Sequence, residues 1–181
     1  MALARTVAFG IALGGWAGCS IESPKVPAPG GGDASADGGG RVFADTVIAY
    51  TVGGQVTTCV DALPPCGAAP AGSCASNPAL GPNDGRTFDL GMGGRIELGF
   101  RCAEVVERGS PDDFKIWATV AMGARAVVEV SWDGSLYQVV GTLDRPDETF
   151  DLARVPIETI RFVRVSDQGA GGIAIDAVEA L

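Results

Sequence analysis

The residues in this 181-residue chain with the clearest capacity for chemistry are hard oxygen donors and five cysteines. Asp112 and Asp113 follow Pro111 and precede an alternating strand pattern, where a loop can turn their oxygens inward. Asp176 stands in the otherwise apolar stretch Ile173–Val178. A carboxylate there, if buried, must be paired, hydrogen-bonded or metal-bound. Asn83 and Asp84 occupy another loop. Calcium takes oxygen ligands of these kinds, so Asp112, Asp113 and Asp176 are the candidate ligands of a structural calcium ion. Simpler roles compete with that one. Asp112 or Asp113 fits a turn leading into a strand, Asn83-Asp84-Gly85 fits a β-turn, and Asp176 fits a buried partner to Arg161 or Arg164.

Catalytic constellations are harder to find. The chain has no histidine, which removes Ser-His-Asp and Cys-His activation and every zinc site that needs imidazole. Asp112 and Asp113 are neighbours, so on an extended strand they face opposite ways. A glycosidase pair needs facing carboxyls about 5–9.5 Å apart. A Ser-Lys dyad would have to use Lys115, which lies in a strand pattern, because Lys25 lies in a Pro/Gly-rich stretch. The expectation is a protein with no catalytic residue. The net charge of −9 argues against nucleic acid, whose phosphates are met by Lys and Arg. Three aromatic residues, Trp117, Trp132 and Tyr137, could stack on a sugar. Trp132 falls in phase with Val128 and Val130, and Tyr137 with Val139, which places both in the core. Trp117 shares its face with Lys115 and Thr119 and is the more open of the three.

The elements that would hold these residues are short strands. Arg95–Arg101 alternates strictly, with Ile96, Leu98 and Phe100 on one face. Phe114–Val120 and Arg125–Trp132 repeat the pattern. Asp133-Gly134 supplies a hairpin signal before Leu136–Val140. Asp45–Thr51, Glu158–Ser166 and Gly172–Val178 complete the set, and the apolar phase slips within Ile160–Val165 as it would at a β-bulge. No stretch sustains a helical period. With 27 glycines and 11 prolines, this reads as an all-β domain, a single jelly roll or β-sandwich over residues 41–181.

The N-terminus reads differently. A short positive start is followed by the apolar, small-residue run Thr6–Gly18 and then Cys19, the pattern of a signal peptide over residues 1–18. Trp16-Ala17-Gly18-Cys19 resembles the lipobox of bacterial lipoproteins. That resemblance implies cleavage before Cys19, lipidation of its thiol and attachment to a membrane. Ser20 in place of Asp implies, by similarity to enteric lipoproteins, an outer-membrane destination. Residues 19–40 are rich in Pro and Gly, cannot build a core, and read as a flexible linker.

Four cysteines then remain: Cys59, Cys66, Cys74 and Cys102. An even number in an exported chain reads as two disulfides. Three connectivities are open. The preferred one closes the Pro/Gly/Ala-rich loop with Cys66–Cys74 and pins it to a strand with Cys59–Cys102. A four-thiolate metal site lacks the close CxxC pairs of a zinc ribbon.

Several segments carry a further resemblance. Val128–Tyr137 is similar to the "VEVSxDGxxW" hairpin of discoidin-like, galactose-binding-like jelly rolls, and Ile160–Val165 to their "ARYVRI" strand. Ala79–Gly85, Ser110–Trp117 and Ile173–Leu181 resemble the "ALGxPDG", "GPDFxVFE" and "GxDIDAVEAL" motifs of bacterial cell-surface domains. The resemblance implies a jelly roll that binds sugars, phospholipids or proteins through loops at one end, often beside a structural calcium. The expected function is a membrane-anchored, non-catalytic module that recognises a glycan or a protein. The alternative is a structural or assembly protein of the envelope with no small ligand.

Overall fold

The computed structural model describes residues 40–60, 63–66, 74, 77–109, 111–169 and 171–181. The expected signal peptide, Cys19 and nearly all of the expected linker over residues 19–40 lie outside the described residues. In chain order the strands are β1 (Val42–Phe43), β2 (Thr46–Val52), β3 (Gln55–Thr58), β4 (Phe88–Asp89), β5 (Arg95–Gly99), β6 (Val105–Val106), β7 (Phe114–Val120), β8 (Ala126–Ser131), β9 (Gln138–Leu143), β10 (Glu148–Phe150), β11 (Thr159–Ile160), β12 (Phe162–Asp167) and β13 (Ile173–Ala180). One short 3-10 turn, Leu152–Arg154, is capped by the Asp151 side chain, which accepts from the Ala153 amide.

The strands form an all-β sandwich of two antiparallel sheets. The first sheet runs β1-β13-β7-β10, with β4 beside β1 along the same edge of β13. The second runs β3-β2-β5-β12-β8-β9. A short β6–β11 ladder is separate from both. The strict alternation seen in the sequence becomes the two inner faces. Phe114, Ile116, Ile173, Ile175 and Val178 from the first sheet meet Ile96, Leu98, Val128, Val130, Val163 and Val165 from the second, all essentially inaccessible to water. Full burial of one such side chain stabilises the fold by about 1.5–3 kcal/mol.

Tertiary structure corrects several local expectations. The phase slip in Ile160–Val165 is not a bulge but a break between β11 and β12. Arg161 sits at the break, where its amide donates to the Ser131 carbonyl and its carbonyl accepts from the Phe100 amide. Ile160 and Val163 are therefore both buried. Bulges occur elsewhere, and one falls at Asp176, between Ile175 and Ala177 of β13. Another, between Val128 and Glu129 in the β8–β9 ladder, re-phases β9 so that Val140 and Leu143 point inward while Val139 is exposed.

The disulfides also differ from the preferred pairing. Cys59 is bonded to Cys74, and Cys66 to Cys102, so the two closed loops interlock. Strand pairing explains the first bond. The Cys59 amide donates to the Ile48 carbonyl, which fixes the end of β3 against β2. Leu63 packs over Gly99 of β5, where a Cβ would lie 2.5 Å from its methyl carbon. The chain is thereby led across the outer face of the second sheet before Cys66 meets Cys102, just beyond β5.

Candidate functional site

The site begins at a gap in the first sheet. β1 and β4 share one edge of β13 but leave its middle uncovered, at Asp176–Val178. The Ala44 amide takes the Val178 carbonyl, and the Gly81 amide takes the Ala44 carbonyl, which brings the loop after Ala79 across the gap. Asp176, pushed out of register by its bulge, closes the rest. Its Oδ1 accepts from the Asp84 amide at 3.2 Å and its Oδ2 from the Gly85 amide at 3.0 Å. Asp84 in turn caps its own turn by accepting from the Arg86 amide. The buried carboxylate in an apolar strand is thus satisfied by main chain, not by Arg161 or Arg164.

The loop so anchored contributes Asn83, Gly85 and Thr87 to a cleft of about 310 Å³, which is also lined by Asp176, by Trp117, Ala118 and Thr119 of β7, and by Pro146 and Asp147. β7 is the floor. Asp147 has φ 55, the single positive value among the described non-glycine residues, a conformation that Asp tolerates better than most side chains. Its Oδ1 accepts from the Ala118 amide at 3.3 Å, so the β9–β10 turn is tied to the cleft floor. Asp147 is exposed and lines the same cleft as Asn83, Gly85 and Thr87.

Trp117 is half-buried and held from two sides. Its Nε1 donates to Glu179 at 2.8 Å, and the Lys115 ammonium lies 3.3 Å from its ring centre. Glu179 is buried and also receives the Arg41 guanidinium, with Nη2 at 2.6 Å. Lys115 covers the indole closely and the Arg41 guanidinium lies 5.8 Å from the same ring centre, while part of the ring lines the cleft. A ring fixed in this way loses little rotamer freedom on meeting a ligand. The donors and acceptors around it are two carboxylates, two threonine hydroxyls and an amide.

The three candidate calcium ligands are not brought together. Asp113 is buried at the start of β7, with Oδ1 accepting from the Arg108 amide and Oδ2 from the Leu152 amide. Asp112 beside it is exposed. Asp176 opposes the Trp117–Ala118 region, four residues further along β7, or roughly 13 Å at the rise of a strand. Among the described residues no group of three or more His, Cys, Asp or Glu side chains is arranged to hold a metal ion.

The other two aromatic candidates also move. Trp132 is 48% exposed, because β8 ends at Ser131 and the chain turns out at Asp133. The main-chain amides of Ser135 and Leu136, then the Ser135 hydroxyl, hold the Asp133 carboxyl far below the usual range. Tyr137 lies on the outer face of the second sheet, its ring 3.3 Å from the Arg164 guanidinium, in a row with Glu97 and Glu129. Burial, and then the Glu97 carboxylate, push its hydroxyl well above the ordinary tyrosine range. Sequence reasoning missed Asp147 and Glu179. Pro146-Asp147 is a turn signal, but nothing local points it at Trp117.

A second cleft, of about 390 Å³, is lined by Glu107, Leu152, Ala153, Val155, Pro156, Ile157 and Glu158. It is apolar apart from the two glutamates and holds no aromatic ring. No family model, no curated protein and no solved structure matches the chain.

Proposed function

We propose that this protein is a non-catalytic binding module that takes a hydroxyl-rich ligand, a glycan, in the Trp117 cleft. The observation that carries the reading is the convergence of a fixed indole with the Asp147 and Asp176 carboxylates across β7. Carboxylates accept from sugar hydroxyls, and an indole offers apolar surface to the C–H face of a pyranose. The cleft volume is at the small end of ligand sites and matches one or two sugar rings. The lipobox-like Trp16–Cys19 segment supports attachment to a membrane through Cys19, with the domain carried outward on residues 19–40 and the outer membrane as its location.

A glycan array probed with the full chain, with and without calcium, tests the proposal. Retention of at least one glycan class, weakened about tenfold by Trp117→Ala and by Asp147→Asn, is the expected outcome. No retention under either condition would reject it and leave the envelope-assembly reading.

A further inference from the structure

The second sheet ends in β3, and this edge is unlike the others. Natural sheets blunt their edges with charge, proline, bulges or very short strands. β1 and β4 are two residues long, and Arg41 precedes β1. β10 is three residues long and sits beside Arg145, Asp147 and Glu148. β9 is bulged against β8. β3, four residues long, carries no charge, proline or bulge, and no described residue beyond β2 pairs with it. From Thr46 to Val60 the sequence TVIAYTVGGQVTTCV contains no charged residue and no proline, in a chain of net charge −9.

The register shows which groups are unpaired. Val52 pairs with Gln55 around Gly53-Gly54, followed by Thr51 with Val56, Tyr50 with Thr57 and Ala49 with Thr58. In a two-residue hairpin the closing pair exchanges hydrogen bonds and every second pair does so again. Gln55 and Thr57 therefore point their amides and carbonyls at β2, as Cys59 does at Ile48. Val56 and Thr58 point theirs outward. The Val56 side chain is 64% exposed and that of Val52 40%.

We infer that β3 is a pairing edge for β3 of a second copy of this chain, antiparallel about a two-fold at Thr57. Centring at Thr57 sets Val56 opposite Thr58 of the partner and Thr58 opposite the partner's Val56. Each pair exchanges two main-chain hydrogen bonds, and all the outward groups of the edge are satisfied. A two-fold demands a surface that complements itself, and an antiparallel strand meets that demand. Charge selects the same place. Two acidic copies repel across most of their surfaces, and this uncharged edge lets them approach without opposing carboxylates. The contact is small, so the dimer is reversible and weak.

Sedimentation velocity of the full chain over a range of concentrations is the test. The wild type is expected to shift reversibly from monomer to dimer. Val56→Pro removes an outward amide and leaves the β2 ladder intact, as proline is tolerated on an edge. Val56→Lys adds the charge that natural edges carry and keeps the amide. Each is expected to weaken dimerisation at least tenfold, with circular dichroism unchanged. Should Val56→Pro not fold, Val56→Lys carries the test alone. Thr57→Cys places two thiols at a pair without mutual hydrogen bonds, where the Cα atoms approach about 4.5 Å, and is expected to oxidise to a covalent dimer. A wild type that stays monomeric, or dimers that survive both Val56 variants, would overturn the inference. Capture of a foreign extended segment at this edge by a monomeric wild type would overturn it as well.

Discussion

Replacing Asp176 tests the central structural argument most directly. Its two oxygens accept from the Asp84 and Gly85 amides, at 3.2 and 3.0 Å, and hold the loop that walls the cleft. A hydrogen bond to a charged acceptor contributes about 1.5–3 kcal/mol. Residues 83–87 are exposed, so water can replace part of what is lost, and the lower end of that range applies to each bond. Asp176→Ala is therefore expected to cost about 2–4 kcal/mol. Asp176→Asn keeps one acceptor but turns an NH2 group toward the other amide, and should cost about half as much. Urea denaturation of both variants and the wild type measures the difference. Asp112→Asn serves as a control, since its side chain is exposed and should fall within about 0.5 kcal/mol of wild type. Hydrogen exchange adds local resolution, with protection of the Asp84 and Gly85 amides lost in Asp176→Ala. An Asp176→Ala variant within 0.5 kcal/mol of wild type would refute the reasoning. So would a loss of the same size produced in the wild type by EDTA alone, because the carboxylate would then be serving a cation.

Further outcomes follow from other parts of the molecule. Peptide mapping without reduction should recover Cys59 linked to Cys74 and Cys66 linked to Cys102; loss of either bond should cost about 2–5 kcal/mol, and any other pairing would contradict the interlocked loops. A Cβ at Gly94 would lie 1.6 Å from the Leu90 carbonyl oxygen. Gly94→Ala should therefore abolish the cooperative unfolding transition, and a variant as stable as wild type would show the turn to be built differently. In a Tyr50→Phe background, absorbance at 295 nm should show Tyr137 ionising above the ordinary tyrosine value of about 10. Because its folded pKa is raised, the protonated hydroxyl contributes stability that is fully present below pH 10 and is lost as pH climbs toward the folded value. Ionisation at the ordinary value would remove that contribution. Intact-mass analysis of membrane-extracted protein should find the chain starting at Cys19 with acyl chains attached, and an unmodified cysteine would reject the anchor.

The sequence alone specified the longer strands and the faces most of them bury, but not the short β1, β3, β4, β6 and β10, which carry too few residues to show a period. Alternation in Arg95–Arg101 and Phe114–Val120 is a local property, and it placed Ile96, Leu98, Phe100, Phe114 and Ile116 in the core. The even set of Cys59, Cys66, Cys74 and Cys102 likewise indicated two bridges, and Asp176 was marked as needing a partner by its apolar neighbours alone. Tertiary structure decided who those partners are. Asp176 meets amides about ninety residues away, Cys66 crosses 36 residues to Cys102, and Trp117 is brought to Asp147 and Glu179 by the β7–β13 ladder and the β9–β10 turn. Trp132 and Tyr137 show the limit from the other direction. Trp132 kept phase with the buried Val128 and Val130, yet β8 ends before it and it turns out; Tyr137 kept phase with Val139, and the β8–β9 bulge puts that phase of β9 on the outer face. Period-two patterning records which way a side chain points on an unbroken strand. Bulges, strand ends and long-range closures depend on pairing between segments far apart in the chain, and no local pattern records them.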